Sequence, residues 1–327
     1  MRQTYHLCLS SHDEVMYRDE EDLIMGFNSL ALAVFSTESR LLAEAFMPTH
    51  NHKAIQSDFP KELVKRERYT FTRYFNAKYH RLGRLGEKHP FQLTVNGIHH
   101  TLTMLNYIIR QGLHHGLATT PFDYKHCSAN CYFRNDLGRT MEEKLILDEL
   151  QYKYLPEHKK LPPGYRMNSN GLILRTDVVD SKYVEEIYIT PRNFLFQMNK
   201  LTDEKVIQIQ MEDNNTQPVT LDLIERGVKE YDYRKSLVFE QGRVNNSMLT
   251  DLELCRLIDT VILPRYLKDN EAQSIYVLPK AKRAEIGNTL WLESRNSFGL
   301  QGNGILNKKK TTADQIRRCL ALNNSTD

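Results

Sequence analysis

The 327-residue chain contains no run of roughly 18 apolar residues, so a membrane-spanning helix is not expected. Its opening, MRQTYHLCLSSHDE, lacks the apolar core of a signal peptide, and secretion is therefore not expected. Cysteine is also scarce, and the five thiols are scattered in a way typical of reduced cysteines: Cys8, Cys127, Cys131, Cys255 and Cys319. These absences argue against a membrane protein and against a disulfide-stapled secreted domain, and they predict a cytoplasmic protein.

What the chain does have is enough length for two domains with their own cores, and an ordinary composition with 40% hydrophobic and 26% charged residues. The net charge of +3 is less informative than the distribution of charge. Between Lys61 and Phe91 there are nine Lys or Arg residues, three acidic residues and six interleaved aromatic residues.

A basic segment that carries aromatics is suited to nucleic acid, because cations neutralise phosphates and rings stack on unpaired bases. The alternative is a solvated amphipathic helix whose aromatics face the core. Under the first interpretation, seven cations are candidate DNA contacts: Lys65, Arg66, Arg68, Arg73, Lys78, Arg81 and Arg84.

Hydrophobic periodicity predicts strands and helices in the part of the chain before Gly116. The predicted strands are Thr4–Leu9, Leu41–Met47 and His50–Gln56, the last two paired across Pro48-Thr49. The predicted helices are Asp19–Phe35, a basic helix that begins at Pro60 and ends before Gly83, and Ile98–Leu113.

From residue 141 the chain changes in character, with more acidic residues and a boundary loop at Leu161–Tyr165. Helices are predicted from Pro191, from Thr250, over Lys280–Leu292 and over Thr312–Leu322, the last with a Thr-Ala-Asp-Gln capping box. We therefore expect three segments: 1–140, a mixed connecting region without an assigned role at 141–245, and a helical C-terminal region at 246–327.

The most informative feature is the triplet His50-Asn51-His52 at the start of a predicted strand. Side chains at i and i+2 of an extended strand point to the same face, so the two imidazoles can hold one divalent metal ion. A later helix carries Tyr107 and Gln111 one turn apart, near the side opposite its apolar stripe, and Tyr107 is therefore not expected to serve as a core aromatic. The stripe predicted to face the core comprises Ile98, Leu102, Leu105, Ile109 and Leu113.

A reaction is suggested by four polar side chains together, those of His50, His52, Tyr107 and Gln111. Two imidazoles leave several coordination positions of a divalent ion open, and Gln111 can supply a third ligand through its amide oxygen. Such an ion acts as a Lewis acid on a phosphodiester. The attacking group would be the phenol oxygen of Tyr107. A tyrosine phenol has an unperturbed pKa of about 10, so it needs a nearby cation or base to become a good nucleophile.

Each part of this pattern also has a simpler interpretation. The chain contains 12 His and 17 Tyr, so a histidine pair at i, i+2 arises easily by chance, and a single tyrosine is usually a surface or interface ring. Gln111 alone is uninformative. The joint pattern is stronger than its parts, but spacing alone does not decide between these interpretations.

Several short segments carry a family resemblance. Phe46–His52 is similar to a Met-Pro-Asn-His-hydrophobic-His signature, and Tyr107–Gln111 to a Tyr-Ile-Xaa-Xaa-Asn-Pro helix. Between them, Tyr74–Tyr79 and Arg81–Leu85 are similar to Tyr-Xaa-Asn and Gly-Arg-Xaa-Gly segments. In these motifs and their order, over roughly residues 1–135, the chain resembles the REP-associated tyrosine transposases, a group of single-tyrosine HUH transposases.

The resemblance implies an α+β fold, with an antiparallel sheet packed against helices in residues 1–140 and a mostly helical region towards the C-terminus. It implies His50, His52 and Gln111 as ligands of Mg²⁺ or Mn²⁺. Tyr107 would be the nucleophile that cleaves and rejoins single-stranded, often hairpin-forming DNA through a 5′-phosphotyrosine. It also implies a bacterial, nucleoid-associated enzyme. A homodimer is one expected assembly, since dimers are common in the superfamily although some relatives act as monomers.

Two positions depart from the family pattern. Asn51 stands where the family has a hydrophobic side chain, and a polar group buried without a partner costs stability. Gln111-Gly112 replaces Asn-Pro, which keeps an oxygen ligand. Asn51 favours the main alternative, a non-catalytic, host-adapted nucleic-acid-binding protein derived from a transposase. A metallohydrolase with water as its nucleophile is a third candidate.

The C-terminal region carries a weaker resemblance. Gln315–Leu320 is similar to the first helix of a helix-turn-helix module, but no recognition helix follows it. Residues 246–327 are expected to assist DNA binding or assembly.

Overall fold

A computed structural model of the chain describes residues 2–140, 143–155, 160–199, 248–267, 273–296, 306 and 309–323. The first part contains a four-stranded antiparallel sheet in the order β2-β3-β1-β4. Its strands are β1 Thr4–Ser10, β2 Arg40–Met47, β3 His50–Gln56 and β4 Phe91–Val95. The predicted α+β architecture is confirmed, and β4 is an additional strand that the sequence pattern did not predict.

Strands β2 and β3 form a hairpin whose register places Met47 opposite His50 across the turn Pro48-Thr49. Proline lacks the N–H that a sheet ladder requires, so the pairing turns back at this point. Strand β1 lies in the middle of the sheet and places Cys8 opposite His52. The start of β3 is thereby held by a neighbouring strand on each side.

Three helices cover the sheet: α1 Glu20–Ser36, α2 Pro60–Tyr79 and α3 Ile98–Ile109. Helix α1 begins at Asp19, whose side chain accepts a hydrogen bond from the backbone N–H of Asp22, and three acidic residues in its first turn complement the helix dipole. Helix α2 begins with Pro60 at its first position, where a missing N–H costs nothing, and ends at His80 in the left-handed conformation.

Helices α1 and α2 pack against each other on one face of the sheet, and α3 lies on the other. Consecutive residues of β3 show this division. Asn51 donates a hydrogen bond to Glu67 on α2, whereas the ring of His52 lies beside that of Tyr107 on α3. The alternation expected for a strand therefore points the two histidines of the triplet towards α3.

Helix α3 differs from its prediction in two ways. It ends at Ile109, and after Arg110 a short helix α4 follows over Gln111–His114. The predicted core stripe is only partly right, because Leu105 and Ile109 are buried but Ile98 is 59% exposed. Both sides of the rest of α3 are covered, one by the sheet and the other by the helices described next.

Residues 143–155 and 160–199 pack around α3 and the edge of the sheet. They contain helices α5 Ser181–Tyr188 and α6 Pro191–Asn199, a single helical turn at Arg175–Val178, and a 3-10 segment at Asp148–Tyr154. Shorter 3-10 turns precede them at Pro121–Asp123 and Ser128–Cys131. Buried side chains from the sheet through Met198 form one hydrophobic cluster. The boundary expected at residue 140 stays a prediction, and the hydrophobic core runs across it.

The C-terminal region contains α7 Asp251–Leu257, α8 Lys280–Asn296 and α9 Ala313–Cys319. A π-helical turn at Ile258–Ile262 and 3-10 turns at Leu263–Arg265 and Ile275–Val277 complete it. The capping box predicted at Thr312 and Gln315 is confirmed. These elements share a second hydrophobic core, which includes Leu254, Ile258, Leu263, Leu290, Ile316 and Leu320.

Buried polar contacts join the second core to residues between β1 and α1. The fully buried guanidinium of Arg18 donates to both carboxylate oxygens of Asp259, at 2.7 and 3.2 Å, and to the carbonyl of Cys319 at 2.7 Å. Tyr276 donates to Glu14 at 2.7 Å. None of the helices described here combines the length and the apolar character that crossing a bilayer requires.

Candidate active site

The histidine pair lies at the start of β3, directly after the Pro48-Thr49 turn. The turn is held in place by backbone hydrogen bonds, since Ser11 donates to the carbonyl of Thr49 and Met16 donates to the carbonyl of Pro48, both at 2.9 Å. His50 and His52 are almost fully buried, and their ring centres are 4.9 Å apart. The expectation that the two rings share one face of the sheet agrees with this geometry.

The hydrogen bonds of the two rings leave one nitrogen of each unused. The Nδ1 atom of His50 is 3.0 Å from the hydroxyl of Thr49, and the Nδ1 atom of His52 is 3.0 Å from the Nε2 atom of His6. By hydrogen-bond geometry both Nε2 atoms are buried without a partner in the described part of the chain, although the Gln111 side chain is near enough to His50 to act against the lowering of its pKa. Buried ring nitrogens are normally satisfied, so this pair is suited to a shared cation.

Tyr107 lies on α3 next to these rings. Its ring centre is 5.2 Å from that of His52, 6.1 Å from that of His6 and 5.9 Å from that of His114. The expectation that Tyr107 is not needed in the core is wrong. The side of α3 that carries Tyr107 is covered by the histidine face of the sheet, and the Tyr107 residue is only 7% exposed. The ring belongs to the hydrophobic core and to the candidate site at once.

Gln111 is the first residue of α4, and its amide is held on both sides. Its Oε1 atom is 2.9 Å from Nε2 of His115, and its Nε2 atom donates to the carbonyl of Tyr107 at 3.3 Å. An amide oxygen has two lone pairs, so accepting from His115 still leaves one for a cation. The next residue is Gly112, and there is no space for a side chain at this position, because a Cβ there would lie 2.4 Å from the ring of Tyr124. Packing therefore explains why this position is a glycine.

Burial keeps the imidazoles of this site neutral. It lowers the pKa of His50 and His52 well below the ordinary value, and next in size are the effects of His115 on His50 and of His50 on His52. It also lowers the pKa of His6 to about 3 and that of His115 to about 4. Neutral imidazole is the form that binds metal ions. In the described residues no three His, Cys, Asp or Glu side chains converge as a metal site.

The metal-free protein is expected to lose stability as the pH falls below about 6.5. The pKa of His115 is about 4 in the folded chain against 6.5 unfolded, so the unfolded chain takes up this proton first. The stabilisation present above pH 6.5 is therefore lost as the pH falls towards 4. His115→Gln should reduce the pH dependence of the unfolding free energy by up to about 1.4 kcal/mol per pH unit, as measured by denaturant unfolding with a chelator present.

The control for this experiment is His99→Gln, a substitution of the same kind at an exposed position of α3. Asp22 acts in the opposite direction in both proteins, because burial raises its pKa from 3.8 to about 6 and the folded chain takes up that proton first. A His115→Gln variant with the slope of the wild type would contradict the prediction.

The candidate DNA-contacting cations are not at this site. Those on α2 belong to the helix on the face of the sheet opposite Tyr107. Lys65 and Arg66 are exposed and pair with Glu62, and the exposed Arg73 lies 5.6 Å from the ring centre of Tyr69. Two further cations differ in exposure: Arg84 is exposed, whereas Arg68 is half-buried and donates to the carbonyl of Glu87 at 2.9 Å.

Lys78 and Arg81 are engaged inside the protein. The Lys78 ammonium is within 2.9 Å of three carboxylates, those of Asp19, Glu21 and Asp22, at the start of α1. Arg81 pairs with the buried Glu14 at 2.5 Å. Both cations neutralise carboxylates that hold the loop before α1, and we propose a structural role for them in place of DNA contact.

Two residues of the site were missed from the sequence. His115 lies one turn after Gln111, so helical spacing was a signal that could have identified it. His6 is in the predicted first strand, but its contact with His52 depends on the pairing of β1 with β3. Nothing in the local pattern around His6 predicts that pairing.

The chain is similar in structure to a REP-associated tyrosine transposase that was solved bound to a REP hairpin. The two share 13% sequence identity with a TM-score of 0.35, over 43% of this chain and 84% of that chain. No family model matches the sequence, and no curated protein does either.

Proposed function

We propose that the chain is a metal-dependent DNA transesterase of the transposase type, which cleaves and rejoins single-stranded DNA through a 5′-phosphotyrosine. Tyr107 is the proposed nucleophile, and His50, His52 and Gln111 are the proposed ligands of Mg²⁺ or Mn²⁺. The observation that carries the proposal is the ring of Tyr107, which lies 5.2 Å from that of His52 beside two buried imidazole nitrogens without partners.

A bound Mg²⁺ or Mn²⁺ would supply Lewis-acid activation and orientation of the phosphodiester. The chain supplies the nucleophile. As the phenol oxygen of Tyr107 forms a bond to phosphorus, the bond from phosphorus to the 3′-oxygen breaks, the phenol loses its proton and the departing 3′-oxygen takes up a proton. The product is a 5′-phosphotyrosine ester and a free 3′-hydroxyl. Attack of a 3′-hydroxyl on this ester reverses the step or joins a different strand.

The packing of α3 explains how Tyr107 would be oriented. Its ring is fixed among His6, His52 and His114, and Gln111 is tied back to the Tyr107 carbonyl. A nucleophile held in one orientation loses little entropy on reaching the transition state. All these residues belong to one chain, which supports a site formed in cis, so that a homodimer would not be required to complete it.

For DNA contact we propose the exposed cations of the α2 face, Lys65, Arg66 and Arg73, together with Arg84. Tyr69 beside Arg73 is 59% exposed and offers a ring for stacking on an unpaired base. Because α2 and Tyr107 lie on opposite faces of the sheet, these cations would hold a part of the DNA away from the cleaved phosphate. A hairpin stem or a flanking strand fits that placement.

A second candidate function, a nucleic-acid-binding protein without catalysis, is favoured by burial of the site. Tyr107 is 7% exposed and His50 is 1% exposed. In addition, Asp251 and Gln315 of the C-terminal region line a small cavity together with Pro48 and His115. A phosphodiester would need part of this cover to open before it could reach the phenol.

The two candidates are separated by incubation with hairpin-flanked single-stranded oligonucleotides and Mn²⁺, followed by a search for a protein–DNA adduct that survives denaturation. The wild type is expected to form the adduct. His50→Ala and His52→Ala are each expected to abolish it, because each removes a proposed metal ligand. The exposed His99 provides the control, and His99→Ala should leave the yield unchanged. Undiminished adduct in both ligand variants would refute the metal site.

A further inference from the structure

We propose that His6 is a positioning residue that fixes the tautomer of His52, so that the Nε2 lone pair of His52 is directed at the metal ion. The proposal rests on the proposed function, because it assigns a role towards the same metal ion. It goes beyond that function by adding a residue that is neither a ligand nor a nucleophile.

The geometry isolates His6 and His52 as a pair. The Nε2 atom of His6 is 3.0 Å from Nδ1 of His52, and the two rings are 5.1 Å apart between centres with 24° between their planes. The remaining neighbours of the His6 ring are aromatic, with Phe91 at 5.4 Å and Tyr107 at 6.1 Å. In the described structure the other nitrogen of His6, Nδ1, is buried without a hydrogen-bond partner. His52 is therefore the only polar partner that the described residues give to His6.

One hydrogen bond between two neutral imidazoles couples their tautomers. If His52 donates from Nδ1, then Nε2 of His6 is a bare acceptor and Nε2 of His52 has a free lone pair. If His6 donates instead, the proton of His52 is on Nε2, and that nitrogen cannot bind a metal ion. Only the first arrangement is compatible with a ligand role for His52, so that role requires His6 to accept and to carry its own proton on Nδ1.

The partner of His50 differs in kind. It is the Thr49 hydroxyl, 3.0 Å from Nδ1 of His50, and a hydroxyl has both a donor and an acceptor function. The partner of His52 is the imidazole of His6. In a neutral imidazole one nitrogen donates and the other accepts, so the tautomer of His6 decides which of the two faces His52. A partner that orients a metal-binding histidine commonly contributes about 10- to 100-fold to metal affinity. We therefore expect removal of the His6 imidazole to lower metal affinity, although His6 is not itself a proposed ligand.

The test compares two substitutions that differ in one property. In His6→Gln the amide oxygen can occupy the position of Nε2 and accept from His52, whereas His6→Met fills similar space without an adequate acceptor. Mn²⁺ affinity is measured by electron paramagnetic resonance in the absence of DNA. His6→Met is expected to bind Mn²⁺ about 10- to 100-fold more weakly than the wild type, and His6→Gln close to the wild type. Equal affinity in His6→Met and the wild type, or equal loss in both variants, would overturn the proposal.

A second measurement needs no variant at His6. Long-range ¹H–¹⁵N correlation spectra of the metal-free wild type report which ring nitrogen carries the proton, and His52→Gln assigns the signal. A proton on Nδ1 of His52 is expected, and a proton on Nε2 would overturn the proposal even if His6→Met fails to fold.

A wild type that binds Mn²⁺ but forms no DNA adduct would refute the proposed function alone. A wild type that forms the adduct while His6→Met keeps its Mn²⁺ affinity would refute the role of His6 alone.

Discussion

Tyr107→Phe is expected to abolish the covalent adduct with single-stranded DNA while leaving DNA binding and the fold intact. Phenylalanine keeps the ring that packs beside His52 and His6, and it removes only the oxygen that would attack phosphorus. Removing the nucleophile of a covalent mechanism commonly costs on the order of 10⁴-fold or more in rate, so the adduct should fall below detection. Denaturing electrophoresis measures the adduct, and fluorescence anisotropy with the same oligonucleotide measures binding.

Tyr152 in the 3-10 segment provides the matched control for this substitution, because it is 57% exposed and has no proposed role in the site or in DNA contact. Tyr152→Phe should keep the adduct. An adduct of wild-type yield in Tyr107→Phe would exclude Tyr107 as the nucleophile. Cleavage that persists in Tyr107→Phe without any adduct would point to water as the nucleophile, and hence to the metallohydrolase. No adduct in the wild type with binding retained would support the non-catalytic candidate.

The parts of this structure that were predictable from the sequence are those set by local geometry. The hairpin of β2 and β3 follows from two apolar strands around Pro48-Thr49, and the start of α2 follows from Pro60. The break of α3 at Arg110 was not predictable, because the helical pattern of apolar residues continues to Leu113. Strand β4 has only five residues, and its pairing with β1 is what makes it a strand.

The same distinction holds within the candidate site. The spacing of His50 and His52 along a strand predicted that the rings share a face, and the structure has this arrangement. The burial of Tyr107 was not predicted, since it depends on how α3 packs against the histidine face of the sheet. The other side of α3 is covered as well, because Tyr188 on α5 donates to Asn106 at 2.7 Å and its ring is fully buried. These contacts join residues far apart in the sequence, for which a single chain carries no local signal.

Asn51 shows why a departure from a family pattern cannot be judged from its own position. As a polar residue in a buried strand it was expected to cost stability if unpaired, but it is paired. Its amide nitrogen donates to Glu67 at 2.8 Å and to the hydroxyl of Tyr17 at 2.9 Å, and its oxygen accepts from the Lys53 ammonium at 2.7 Å. The polar residue in the triplet thus belongs to a buried network behind the histidines.

The ion pair in this network makes Glu67→Ala strongly destabilising. The Lys53 ammonium is fully buried and lies 2.7 Å from the Glu67 carboxylate, whose exposed fraction is 2%. Removing the carboxylate leaves a buried charge without its counter-ion, which typically costs about 3–5 kcal/mol. Lys53 and His52 are neighbours on β3, so Mn²⁺ affinity is expected to fall together with stability. Chemical denaturation measures the first effect, and Mn²⁺ titration measures the second.

The control on the same helix is Glu62→Ala, which removes an exposed carboxylate paired with Lys65 and Arg66. It should change the unfolding free energy by less than about 1 kcal/mol.

Asn51→Val, which introduces the hydrophobic residue of the family motif, is expected to destabilise as well, because Lys53 and Tyr17 each lose a partner. The double variant Lys53→Met/Glu67→Leu removes both charges, and it should recover much of the stability lost in Glu67→Ala. A double variant as unstable as Glu67→Ala would show that the loss comes from packing and that the unpaired charge is not its cause.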